Sequence, residues 1–99
     1  GQSYSYKNLV LDDQAKIVRV NGNKLDLTVK EYGILKLLLE NPKKLFSKAN
    51  LFESVWNETY YPEDNALKVH MSNLRTKIKK YDDQEYIETV WGMGYKLAD

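Results

Sequence analysis

The chain has 99 residues, no cysteine, one histidine and a net charge of +1. Its length suits one domain that buries roughly two-thirds of the surface its unfolded chain exposes. Without cysteine it has neither a disulfide framework nor a thiolate metal site, and a lone His70 argues against zinc. No apolar run approaches the roughly 18 residues that a membrane span needs, so no membrane partner is expected. No basic–apolar–small-residue leader is visible, from which a cytoplasmic protein or an excised domain is expected. Asn57-Glu58-Thr59 matches a glycosylation sequon and is read as chance.

Residues 1–5 have linker or cloning-scar composition and are set outside the fold, leaving 6–99 as the domain. Asn8–Asp12, Lys16–Val20 and Lys24–Leu27 then read as short strands of an antiparallel sheet. They are separated by Asp12-Asp13-Gln14 and by Asn21-Gly22-Asn23. Asn-Gly between β-branched and apolar residues is the strongest short hairpin signal.

Thr28-Val29-Lys30-Glu31 has the form of a capping box and opens an apolar helix. Tyr32, Leu35, Leu38 and Leu39 form its inner face, and Asn41-Pro42 ends it. Ser47 caps a second helix whose Leu51, Phe52, Val55 and Trp56 turn inward. A polar and aromatic loop follows over 57–63.

The stretch 64–80, DNALKVHMSNLRTKIKK, reads as a helix with three faces at about 100° per residue. Leu67, Met71, Leu74 and Ile78 form an apolar stripe. Opposite lie Asn65, Val69, Ser72, Asn73 and Thr76, polar but uncharged apart from one valine. Lys68, Arg75 and Lys79 flank this strip on one side, His70 and Lys77 on the other. Charge is concentrated here: residues 1–63 carry net +1, 64–80 net +4 and 81–99 net −4. A helix in a DNA major groove needs this arrangement, with amides, hydroxyls and a methyl-bearing side chain for base edges and cationic rails for phosphates.

After an acidic turn at 81–84, Tyr86–Val90 and Tyr95–Leu97 form a hairpin around Trp91-Gly92-Met93-Gly94. The expected fold is α+β: a sheet, three helices forming a helix-turn-helix, and a terminal hairpin serving as wing. Enzymatic and cofactor readings find no support. Asp12-Asp13 and Asp82-Asp83 fall in turns, where Asp bonds local backbone, and Gly92-x-Gly94 lacks the strand-to-helix setting of a phosphate cradle.

Three motifs now stand in order: 27–32 LTVKEY, 47–56 SKANLFESVW, and 69–78 VHMSNLRTKI followed by 89–96 TVWGMGYK. Together they resemble the effector domain of the OmpR/PhoB family of two-component response regulators. The resemblance implies a winged helix-turn-helix with a four-stranded N-terminal antiparallel sheet. It also implies binding as a tandem dimer to direct repeats in double-stranded promoter DNA, the isolated domain being monomeric. A receiver domain controlled by a histidine kinase is implied upstream. Residues 57–64, including Asn57, Glu58, Thr59, Tyr60, Tyr61 and Glu63, match in place the loop through which relatives contact RNA polymerase. Many relatives carry Arg where this chain has Asn65 and Asn73, Asp where it has Lys68, and an Arg in the wing where it has Trp91. The Thr-Val-Trp-Gly variant is similar to regulators of low-G+C Gram-positive bacteria, including vancomycin-response types.

The resulting expectations are specific. Asn65, Val69, Ser72, Asn73 and Thr76 read bases in the major groove, with Asn73 favouring adenine. Trp56, Lys68, His70, Arg75, Lys77 and Lys79 contact phosphates. The bland alternatives are core packing for Trp56, an intramolecular hydrogen bond for His70 and a solvated helix end for Lys77 and Lys79. Thr89, Trp91 and Met93 belong to the wing, Trp91 packing across the hairpin or covering backbone sugar. Tyr60 and Tyr61 are either a polymerase patch or loop packing. Two other readings of the whole are a winged-helix module whose partner is protein, and the DNA-binding domain of a membrane-anchored one-component regulator.

Overall fold

A computed structural model describes residues 2–99. Strands β1 (Ser3–Tyr6), β2 (Leu9–Asp12), β3 (Ile17–Val20) and β4 (Asn23–Lys24) form an antiparallel sheet in that order. Alternation sets its faces: Leu9, Leu11, Val18 and Val20 are buried while Val10 and Arg19 point outward. Asn21 and Gly22 join β3 to β4 with φ of 50° and 81°, as a two-residue turn with both corners at positive φ requires.

Two expectations need correction here. Residues 3–5 are not a linker: they belong to β1, whose Ser3–Tyr6 pair with Asp12–Leu9 of β2. Their small polar composition hides this because only Tyr4 and Tyr6 turn partly inward. The final strand of the sheet also stops at Lys24 rather than Leu27. Leu25 still donates to Val18 O and is buried, but Thr28 must already sit at a helix N-cap, so the chain leaves the sheet.

Helix α1 (Val29–Glu40) begins with both bonds of the capping box: Glu31 N–H donates to Thr28 Oγ1 at 3.2 Å, and Thr28 N–H donates to Glu31 Oε1 at 2.9 Å. It buries Ile34, Leu35, Leu38 and Leu39, while Tyr32 is half-buried and donates its hydroxyl to Asp13. Helix α2 (Lys48–Trp56) is capped by Ser47 and ends at Asn57 in the left-handed region. Leu51 and Phe52 are buried; Val55 and Trp56 are only half-buried. Helix α3 (Ala66–Lys79) buries Leu67, Met71, Leu74 and Ile78, the stripe read from the sequence.

Strands β5 (Ile87–Val90) and β6 (Gly94–Leu97) form the terminal hairpin. Phe46, just before α2, exchanges two backbone bonds with Tyr95, at 2.8 and 2.9 Å. Gly94 makes this approach possible. A Cβ there would lie 1.9 Å from Phe46 O, and its φ is 145°. The core therefore joins sheet, three helices and hairpin, with Leu9, Leu11, Ile34, Leu38, Leu51, Leu74 and Ile87 all sealed from solvent.

Candidate nucleic-acid interface

The polar strip of α3 faces outward as a set. Asn65, Val69, Ser72, Asn73 and Thr76 are all exposed, Val69 by 52%. Burying a valine is worth about 1.5–3 kcal/mol, so one left open on a helix face invites a covering partner. Asn65 stands at the N-cap yet makes no capping bond; Asp64 Oδ1 instead accepts from Ala66 N–H at 2.9 Å. The Asn65 amide is thus left free at the positive end of the helix dipole.

A cleft of about 640 Å³ separates α3 from the wing. Its walls include Lys68, Ser72, Arg75, Thr76 and Lys79 on the helix and Thr89, Trp91 and Gly92 on the hairpin. Lys48, the first residue of α2, also lines it. Sequence reading missed Lys48 because a single lysine after an N-cap carries no distinguishing pattern. Lys48, Lys68 and Lys79 are exposed and form no ion pair among the described residues.

The other expected phosphate contacts are held inside the fold. Lys77 donates to Glu31 Oε1 at 2.6 Å and to Asp26 O at 2.7 Å. Glu31 is 1% exposed, and no other charged or polar residue is buried as deeply among the described ones. Burial pushes its carboxyl up, but the bonds from Lys77 and Thr28 outweigh this and hold it below the ordinary value. Lys77 is therefore the partner of a buried carboxylate.

Arg75 donates to Ile87 O at 2.7 Å and Thr89 Oγ1 at 2.8 Å, and its guanidinium lies 5.5 Å from the Tyr95 ring centre. It straps the hairpin to α3. His70 Nδ1 donates to Ala66 O at 2.7 Å and meets Trp56 edge-on at 5.1 Å. Trp56 stacks on Phe52 at 4.7 Å, with Lys30 Nζ 5.5 Å from its ring centre. Both side chains are engaged inside the fold, by packing and by an internal hydrogen bond.

At the wing, Thr89 is exposed and Met93 is 60% exposed. Trp91 is 92% exposed, so it does not pack across the hairpin as one expectation had it. The loop between α2 and α3 separates its two tyrosines. Tyr60 is half-buried against Phe52, its N–H donating to Glu53 Oε2, whereas Tyr61 is 58% exposed. Asn57, Glu58, Thr59 and Glu63 are exposed beside it. A second hollow, about 750 Å³ between β3–β4, the length of α1 and the end of α2, shares no residue with the cleft.

A basic helix laid across two others, with a β-hairpin strapped to its flank, defines a winged helix-turn-helix domain. The family described as "Transcriptional regulatory protein, C terminal" matches residues 22–97, and the chain belongs to it, as an effector domain of the OmpR/PhoB type. Among its relatives, the uncharacterized transcriptional regulatory protein YcbL of Bacillus subtilis (strain 168) is 45% identical over 94 residues, which are 92% of this chain and 41% of YcbL. Response regulator SaeR of Staphylococcus aureus is 36% identical over 97 residues, 97% of this chain and 42% of SaeR. The chain thus spans less than half the length of these relatives. The crystal structure of the DNA-binding domain of CpxR from E. coli superposes with a TM-score of 0.87 at 28% identity, covering 98% of this chain and 96% of that one.

Proposed function

We propose that the chain binds double-stranded DNA sequence-specifically, as the effector domain of a cytoplasmic two-component response regulator. The observation carrying this reading is the outward strip of α3, neutral and hydrogen-bonding, beside a cleft edged by free lysines. In the major groove Asn65, Val69, Ser72, Asn73 and Thr76 inspect base edges. Asn73 suits adenine N6 and N7, and Val69 suits a thymine methyl. Lys48, Lys68 and Lys79 hold phosphates across the cleft. Arg75 orients the wing for the adjacent minor groove, and its remaining donors lie beside the strand that fills the cleft.

The wider assembly rests on the family. A receiver under histidine-kinase control precedes the domain, two copies occupy a direct repeat, and the exposed part of 57–64, Tyr61 above all, meets RNA polymerase. The chain alone is monomeric.

Salt tests the reading. Three lysines neutralising one phosphate each give a log–log slope of about −3, so affinity for a duplex falls roughly fifty-fold between 50 and 200 mM salt. An aromatic protein interface would show almost no such fall, and affinity for duplex DNA that is flat in salt would refute groove binding.

A further inference from the structure

A helix seated in the major groove runs between two phosphate backbones, so phosphate contacts are expected on both of its flanks. Lys48, Lys68 and Lys79 all stand on one flank of α3, lining the same cleft. The opposite flank carries His70 and Lys77, and both are engaged: Lys77 with Glu31 and Asp26 O, His70 Nδ1–H with Ala66 O. With Nδ1–H taken by that carbonyl, the neutral imidazole has only Nε2 left, which accepts and cannot donate to a phosphate. This flank ends at Trp56, which His70 meets edge-on at 5.1 Å. Over the same indole, 5.5 Å from its ring centre, lies the ammonium of Lys30, the second residue of α1. Lys30 is placed but not consumed. Its hydrogen bond to Val55 O is 3.4 Å long, against 2.6 and 2.7 Å for those of Lys77, and it forms no ion pair among the described residues. Its position also runs against local preference: the first turn of a helix favours acids, and a cation there faces the positive end of the dipole. Nothing within α1 gains from a lysine here; what it supplies is a positive charge beside α3.

We propose that Lys30 holds a backbone phosphate on the strand opposite the one met by Lys48, Lys68 and Lys79, with the Trp56 ring as the platform that sets its reach. The proposal rests on the DNA-binding reading and adds to it a contact from α1. A single charge on a phosphate carries no sequence information, so Lys30 sets the register of α3 in the groove and not its base preference. It also releases one more counterion. The three cleft lysines account for a slope of about −3, and Lys30 steepens it by about 1.

The test uses the 99-residue chain and the duplex it recovers from a randomised pool, with single methylphosphonates removing one phosphate charge at a time from each strand. K30M keeps an apolar stem over Trp56, so its thermal midpoint should match wild type. Its log–log salt slope should be shallower by about 1, with binding roughly fivefold weaker at 100 mM salt and base preference unchanged. K30R should restore both slope and affinity, and K30Q, polar and uncharged, should lose both as K30M does. The deficit of K30M should vanish on one methylphosphonate duplex alone, where the missing phosphate is the one that Lys30 holds. K24M removes a charge elsewhere on the hollow that Lys30 also lines, and should leave the slope as it is. Slopes of K30M and K30Q equal to wild type, a deficit that persists on every methylphosphonate duplex, or an equal loss from K24M would each overturn the proposal. If wild type recovers no duplex at all, the DNA-binding reading fails instead. If N73A loses base preference while K30M changes nothing, only the Lys30 contact fails.

Discussion

Asn73 and Lys77 lie one helical turn apart on α3 and do different work. Asn73 is exposed on the strip, and the proposed bidentate contact with adenine would be worth about 1–3 kcal/mol of discrimination. Replacing it with Ala should relax preference at one base position and leave affinity for scrambled DNA unchanged. Lys77, in contrast, neutralises the buried Glu31 carboxylate from α1. Breaking a buried pair from one side costs about 3–5 kcal/mol; Lys77 is about a third exposed, so K77M should cost about 2–3 kcal/mol in a denaturant titration. DNA affinity of the folded K77M domain should stay within about twofold of wild type; a lower salt slope would return Lys77 to the phosphate rail. The periodicity of 64–80 could not separate these roles. It places Lys77 on a flank, but the partner that claims it is 46 residues away in sequence.

At the scale of elements, what was legible was local. The Asn21-Gly22 turn, the Thr28–Glu31 capping box, the Ser47 cap and the apolar stripe of α3 are each written in residues a few positions apart, and each forms. What was missed depends on contacts between elements, near or far in the chain. β1 is a strand because β2 offers it an edge, Tyr60 is fixed by Phe52 of α2, and Arg75 is taken up by carbonyl and hydroxyl groups of β5. The hairpin's attachment is tested at Gly94. Alanine there would drive its Cβ into the Phe46 carbonyl, so G94A should destabilise the fold by several kcal/mol, read as a fall in Tm. Acid should loosen the same molecule elsewhere. Asp82 accepts from Tyr86 and Asn8 and Asp13 accepts from Lys16, Tyr32 and Lys36, which holds both carboxyls well below their ordinary value of 3.8. Their contribution is complete above that value and is lost as pH falls beneath it. D82N should flatten this acid loss of stability; an unchanged acid limb in thermal melts at pH 2–5 would contradict the assignment.

Across the whole molecule, charge is divided: net +4 on 64–80 and net −4 on 81–99. A near-neutral protein thereby presents one cationic edge to a polyanion while the remainder stays solvated. The molecule measures 36 × 25 × 22 Å. The proposed pair of copies on half-sites one helical turn apart, about 34–36 Å, requires that the long axis not lie along the duplex. In the proposed complex the neutral strip of α3 reads bases while the lysines beside it only position the domain. Binding-site selection from random duplex DNA, run with wild type and N73A in parallel, tests it most directly. Wild type should select directly repeated, A·T-leaning half-sites one turn apart, with N73A losing preference at a single position in each. Recovery of G·C-rich half-sites, or identical preferences for the two proteins, would contradict it.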